Sequence, residues 1–482
     1  MDDSRVRTFL LRSRIPVPGP RDIGVWTSLL VLVVGVFAPP LGGLEREMQL
    51  VLTVFGVALV LWLTEAVPYV VSSTLAVVLL YALGLVDTFG EAVQGFAETL
   101  VFFLLLLLLL GGAIGKVGLG KVVAGRMLST QSTPRTTVRS LAAHIVALAL
   151  LMPSAVARAV TFIPVVNRMT DAYGLERDGP FRRASFIVLG HINPIGSMML
   201  MTGGGMAIIT AQLINDTVRP ITWVQWAVYM IPPMLLLFGL STITAVYLYD
   251  LDDERTIESS SLDESMTTAV EDGDASLDRD QRIVGIVMIG AVVAWIIGSF
   301  LGVPTIVPAV VAVAVLAAPG IDIVDRELVA DVSWGILFVI GAMFSILEVM
   351  DTTNTLDLVI GVLIDTIPFE AMAPWLVVAT LLVIAVFIRV WFSTASAAIV
   401  VTLPIIMEFG AVLGINRLFL ALSVLTVIGS TTFFPFNTTS VLLSYDKGPL
   451  TLREVFAFGL VTMVHGLVVI VVSWLFYWPL VV

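Results

Sequence analysis

The sequence contains no cysteine, only three histidines and only three lysines (Lys116, Lys121 and Lys447). The first absence excludes disulfides, thiolate metal centres and cysteine nucleophiles. His144, His191 and His465 are scattered and give no metal-ligand spacing. Charge is scarce as well: 13% of the 482 residues are Asp, Glu, Lys or Arg, against about 25% in soluble domains. No HExxH or GxSxG pattern occurs, so no hydrolytic centre is expected. The GxxxxGK spacing at Gly115–Lys121 is followed by Val122 where a phosphate loop needs Ser or Thr, and it follows a leucine-rich helix rather than a strand. An ATPase is excluded, no cofactor or nucleic-acid partner is expected, and the chain does not read as an enzyme. The N-terminus (MDDSRVRTFLLRSRIPVPGPRD) is polar and arginine-rich, and the apolar sequence begins only near Val25, so a cleavable signal peptide is not expected.

What the chain has is apolar sequence, 58% hydrophobic with mean hydropathy +1.02. Repeated runs of bilayer-spanning length predict an all-α polytopic membrane protein in contact with lipid. Apolar spans fall near residues 24–41, 49–66, 70–86, 99–118, 183–213, 222–249, 283–301, 303–319, 333–351, 415–444 and 454–481. Two further apolar regions, 139–169 and 373–411, have polar breaks in the middle and are expected to be re-entrant helical hairpins. That leaves about eleven crossings.

Loop charge supports this count. With the N-terminus in the cytoplasm, the inner loops carry Arg5, Arg7, Arg12, Arg14 and Arg21, then Lys116, Lys121, Arg126, Arg135 and Arg139, then Arg168, Arg177, Arg182 and Arg183, and later Lys447 and Arg453. The outer loops carry mainly acids, Asp87, Glu91, Glu98, Asp351, Asp357 and Asp365, which is the positive-inside pattern. Counting either broken region as a full crossing moves an arginine-rich group outside.

Residues 250–281 are acidic, serine-rich and poor in large apolar side chains, as expected of a solvated cytoplasmic linker. The linker divides the chain into a cytoplasmic N-terminal segment (1–23), a first half (24–249) with hairpin 139–169, and a second half (282–482) with hairpin 373–411. The halves resemble each other. Ser154–Pro164 (SAVARAVTFIP) pairs with Thr394–Pro404 (TASAAIVVTLP), and Ile195–Ile209 pairs with Ile428–Leu442. Both keep the order of a hairpin break followed by a helix interrupted by Gly, Thr or Pro. Five crossings per half invert the second against the first, which is the pattern of a secondary transporter whose interruptions mark the binding site.

A broken helix at bilayer depth must line a protein-enclosed, wet cavity, because unpaired backbone groups are costly in hydrocarbon. Hairpin tips present helix N-termini that attract anions. Ser154, Ser393 and Thr394 add hydroxyls that donate to an anion or accept around a cation. The carbonyls of Thr202–Gly205 and Phe434–Ser440 suit a hard monovalent cation. The alternative for each hydroxyl is a bond back onto its own helix. Arg158 fits either of two roles, a contact to the anion or a cap on a carbonyl; Arg389, before its turn, is the weaker candidate. Glu65, beside Pro68, is expected to be structural, and His191 to be a packing residue.

Trp62–Asp87 (WLTEAVPYVVSSTLAVVLLYALGLVD) and Gly95–Ile114 (GFAETLVFFLLLLLLLGGAI) resemble two conserved helices of the divalent anion/sodium symporter family, and the resemblance runs in order through both hairpins. It implies an elevator-type carrier, a homodimer in the cell membrane, importing a di- or tricarboxylate with sodium. Sulfate or another inorganic anion, or sodium-independent exchange, is the alternative. In that family each tip carries Ser-Asn-Thr against substrate and sodium. By resemblance the substrate-binding positions are Ser154, Ala155, Val156, Arg158, Ser393, Thr394, Ala395 and Thr438. The cation-binding positions are Ser154, Gly203, Ser393, Thr394, Asn437 and Thr438. Both tip asparagines are replaced here, the first within Pro-Ser-x-x-Ala-Arg, and the first break has become Thr202-Gly203-Gly204-Gly205.

Overall fold

The computed structural model describes residues 20–40, 44–119, 133–149, 152, 154–251, 277–367, 369 and 372–482, and every regular element among them is a helix. The N-terminal segment before residue 20, the linker from 252 to 276 and the end of the Gly115–Lys121 motif lie outside the described residues.

The helices sort into two compact units. The first takes the described residues up to Ala97 together with Trp334–Val359. It packs Pro20–Phe37, Arg46–Thr64 and Tyr69–Ala82 with Trp334–Thr352. Small residues let the backbones approach, as is usual where helices meet in a bilayer. Gly35 faces Thr53, and Gly341 faces the ring of Phe96. The Gly95 N–H donates to Ser345 Oγ at 3.1 Å. Glu65 ends the Arg46–Thr64 helix in the left-handed region (φ 45°) and accepts a hydrogen bond from the Tyr69 hydroxyl at 2.8 Å. The Thr-Glu-Ala-x-Pro stretch is thus a helix stop and turn.

The second unit takes Glu98–Ser333 and Ile360–Val482, and it holds both hairpins and both broken helices. The first hairpin consists of Pro134–Ala149 and Ala155–Ala172, the second of Pro374–Trp391 and Ala395–Val412. Each inner arm begins on a hydroxyl N-cap. Ser154 Oγ accepts from the Ala157 N–H and Thr394 Oγ1 from the Ala397 N–H, both at 3.2 Å. Each inner arm also carries a proline at the matching place, Pro164 and Pro404.

The first broken helix runs Pro180–Ile187, a π-helical turn Val188–Ile192, Asn193–Gly196, a non-helical stretch over 197–204, and Gly205–Thr217. The second runs Arg417–Ser430, a break over 431–438 with one short 3-10 turn, and Thr439–Lys447. Both breaks begin ahead of the stretches expected to be unwound, Thr202–Gly205 and Phe434–Ser440. The first turns at Ser197, and Gly203 returns so close that a Cβ there would lie 2.7 Å from the Ser197 carbonyl oxygen.

Among the described residues, eight helices are long and apolar enough to cross a bilayer, and they include both arms of the second hairpin. The 303–319 span narrows to Ile306–Leu316, 11 residues, or about 16 Å at ~1.5 Å per residue, against a hydrocarbon core of about 30 Å. Helix length therefore supports a multi-pass protein without fixing eleven crossings.

Candidate anion site at two hairpin tips

Both tips show the same pattern of exposure. Ser154–Ala157 and Ser393–Ser396 are half-buried, and each is flanked by buried residues, Met152 and Arg158 in one half and Phe392 and Ala397 in the other. Of the expected contact residues, Ser154, Ala155, Val156, Ser393, Thr394 and Ala395 all lie in these two stretches. Each N-cap oxygen accepts one backbone N–H, which leaves its own O–H available to donate. Each tip thus offers a hydroxyl donor at the positive end of a helix, the chemistry that receives a carboxylate or sulfate oxygen.

The tips are tied to the breaks by two arginines, both fully buried. Arg158 lies one turn after Ser154. Its Nε donates to Asn193 Oδ1 at 2.8 Å, its Nη2 to the Asn193 carbonyl at 3.2 Å and Ser197 Oγ at 2.7 Å, and its Nη1 to the Met152 carbonyl. Arg389 lies one turn before Ser393. It donates to the carbonyls of Ile428 (3.2 Å), Phe392 (2.8 Å) and Asn437 (2.6 Å) and to Thr438 Oγ1 (3.1 Å).

An asparagine completes each clamp. Asn193 Nδ2 donates to the Ala155 carbonyl at 2.7 Å. Asn437 Nδ2 donates to the Val390 and Phe392 carbonyls at 2.8 and 3.0 Å, while its Oδ1 accepts from the Phe433 and Phe434 amides. In the first half the arginine follows its tip and the asparagine precedes its break; in the second half the arginine precedes its tip and Asn437 lies inside the break.

The two halves also meet each other within this unit. Gly205, which opens the second part of the first broken helix, faces Ser396: a Cβ there would lie 2.8 Å from the Ser396 hydroxyl. Gly429 faces Met198 and Met206. Ser440 Oγ donates to the Gly190 carbonyl at 3.1 Å, which joins the second broken helix to the π turn of the first. His191, in that turn, is buried with Nε2 against the Val455 carbonyl at 3.1 Å and its ring edge-on to Phe458 at 5.6 Å.

A family described as the sodium:sulfate symporter transmembrane region matches residues 23–482. The chain belongs to this family. Membership makes it a membrane transporter of anions, not an enzyme. Relatives of this symporter-family chain include a protein described only as a membrane protein from Cupriavidus necator, 24% identical over 81% of this chain and 79% of that one. Another is the sodium-dependent dicarboxylate transporter SdcS of Staphylococcus saprophyticus, 22% identical over 85% of this chain and 82% of that one. A third is dicarboxylate transporter 1, chloroplastic, of Arabidopsis thaliana, 26% identical over 67% of this chain and 59% of that one. The crystal structure of the Alcanivorax borkumensis YdaH transporter shares the fold, with a TM-score of 0.56 at 15% identity over 96% of this chain and 100% of that chain.

Asn193, Ser197 and Ser396 were not expected at the site, and Arg389 was the weaker arginine. The signal for the pair of arginines is in the sequence: each lies one turn from its tip serine, on opposite sides. Asn193 and Ser197 carry no such mark, because only folding brings them against Arg158.

Proposed function

We propose that the protein is a secondary active carrier of a small di- or tricarboxylate, with the two hairpin tips each receiving one carboxylate. The observation behind this reading is the duplicated, half-buried tip in which Ser154 and Thr394 each cap a helix N-terminus. Two such donors, one from each half, suit a solute with anionic groups at two ends. The contact residues on this reading are Ser154, Ala155 and Val156 in the first half and Ser393, Thr394, Ala395 and Thr438 in the second. Two relatives are named for dicarboxylates. Sulfate, which the family description names, is the alternative cargo. The hairpins and broken helices move as one block, as an elevator, in a homodimer of the cell membrane.

Uptake of labelled succinate, citrate and sulfate into proteoliposomes tests the cargo. Ser154→Asp and Thr394→Asp sharpen the test. Aspartate is as good an N-cap as serine, so stability holds to within about 1 kcal/mol. The added negative charge faces the anion, so uptake falls by at least about tenfold. Unchanged uptake in both variants would remove the tips from the site.

The topology follows with the N-terminus and the 250–281 linker inside. A chain without cysteine is a ready background for single-cysteine labelling. Ser260→Cys is expected to react with an impermeant thiol reagent only after the membrane is opened, and Asp87→Cys in intact cells. Labelling of Ser260→Cys from outside would refute this orientation.

Sodium is the coupling ion that family membership points to, with Ser154, Gly203, Ser393, Thr394, Asn437 and Thr438 as its positions. A second reading, sodium-independent anion exchange, is favoured by one observation. Thr438 Oγ1 and the Asn437 carbonyl already accept from Arg389, and Asn437 Oδ1 from two backbone amides.

A further inference from the structure

The two breaks are braced differently. In the second, Asn437 Oδ1 accepts from the Phe433 and Phe434 amides, so a side chain of the break holds its own backbone. In the pairing of the halves Gly204 stands where the second half has Asn437, and Gly203 and Gly205 flank it. Glycine loses more backbone freedom on folding than any other residue, so a run of three must be held from outside.

Two indoles do this. Trp223 and Trp226 open the helix Trp223–Leu248, which belongs to neither hairpin and to neither broken helix. Trp226 Nε1 donates to the Met198 carbonyl at 3.3 Å, and Trp223 Nε1 to Thr202 Oγ1 at 3.1 Å. Both rings are buried, as are Met198 and Thr202. Trp223 is itself supported. Its ring stacks on Trp295, with centroids 6.4 Å apart and planes 9° from parallel. Trp295 Nε1 donates to the Thr305 carbonyl at 2.7 Å, and the Val224 N–H donates to Ser299 Oγ at 3.2 Å. Three residues after Thr202 the chain reaches Gly205, which faces the Ser396 hydroxyl of the second tip.

We propose that Trp223 and Trp226 are positioning residues of the anion site: their indoles hold the first break in the conformation that seats Gly205 against the second hairpin tip, and Trp295 fixes the Trp223 ring. This rests on the reading of the tips as the anion site. A break freed of its indoles spreads over more conformations. Apparent affinity falls with the seated fraction, while the carrier that has bound its anion is unchanged.

Trp223→Phe keeps the ring and its stack but loses the N–H. Thr202→Val keeps the shape but loses the acceptor. Uptake of labelled succinate, citrate and sulfate by the full-length protein in proteoliposomes measures both. The half-saturating concentration is expected to rise about three- to tenfold in each, the range of one net hydrogen bond, with the saturating rate within about twofold of wild type. The double variant should be no worse than the worse single one, because both changes remove the same bond. Thr202→Ser restores a hydroxyl and should rescue the affinity. Trp474→Phe loses an indole bond to Ser423, outside both breaks, and should leave half-saturation unchanged. Additive losses, or a fall in rate alone, would overturn the proposal and make Trp223 a packing residue.

Hydrogen–deuterium exchange gives an arm independent of cargo. Amides of residues 197–205 should exchange at least about threefold faster in Trp223→Phe and Trp226→Phe, and those of 431–438 at the wild-type rate. Unchanged exchange over 197–205 overturns the proposal and leaves the tips as the site. Failure to carry any of the three anions rejects the cargo instead, and exchange still decides whether the indoles hold the break. If the tryptophan variants do not fold, Thr202→Val against Thr202→Ser decides by both measurements.

Discussion

Arg389→Met is expected to abolish transport and to lower stability by about 3 kcal/mol. Methionine restores much of the apolar volume but no donor. The carbonyls of Phe392, Ile428 and Asn437 and the hydroxyl of Thr438 lose Arg389 as a donor, at a cost of about 1–3 kcal/mol for each buried group left unsatisfied. The Phe392 carbonyl keeps Asn437 Nδ2, and removing the guanidinium also removes its own desolvation cost. The net loss is therefore smaller than the sum. Arg389→Lys stays charged but brings a compact ammonium in place of a planar fork, so an intermediate loss is expected. Denaturation midpoints in detergent and uptake in proteoliposomes measure both. Wild-type values for Arg389→Met would mean that the second tip is held by something else.

Gly459→Ala is expected to remove transport almost completely, while Gly466→Ala is tolerated. Both glycines lie in Leu452–Val472 and face the second broken helix. A Cβ on Gly459 would overlap the Thr432 carbonyl, so the backbone of the break itself must move. A Cβ on Gly466 meets the Ser430 hydroxyl, the end of a small side chain that can rotate away. Overpacking a rigid neighbour costs about 1–3 kcal/mol. At Gly459 that strain falls on the segment that positions Thr438 for Arg389. Thermal shift and transport in the two variants separate a general packing loss from damage to the break. Equal behaviour of the two would refute the distinction.

Much of this was legible in the chain. Apolar runs of bilayer length and arginines concentrated in alternate loops define a multi-pass helical protein, because hydrocarbon admits no unpaired backbone. The four interruptions were found by residue type, since Pro, Gly and hydroxyl residues have few other uses inside such runs. The N-caps Ser154 and Thr394 follow from local chemistry, as an oxygen one turn from an orphan N–H bonds it with little help from the rest of the fold.

The limits of that legibility are equally specific. The breaks extend back to Ser197 and Thr431, ahead of the Thr202–Gly205 and Phe434–Ser440 stretches where the sequence placed the unwound carbonyls. The compact units do not follow the two sequence halves: Trp334–Val359 leaves the second half to join the described residues before Ala97. The helix within 303–319 is Ile306–Leu316, ends that only the structure fixes. The sequence by itself determined the membrane class, the duplicated order of hairpin and broken helix, and which hydroxyls stand at the tips, since each depends on neighbours within a turn or two. Only the tertiary structure decided what Arg158 and Arg389 bind. Their partners Asn193, Ser197, Ile428 and Asn437 are many residues away, and a guanidinium reaches whichever carbonyls the packed helices bring within hydrogen-bonding distance.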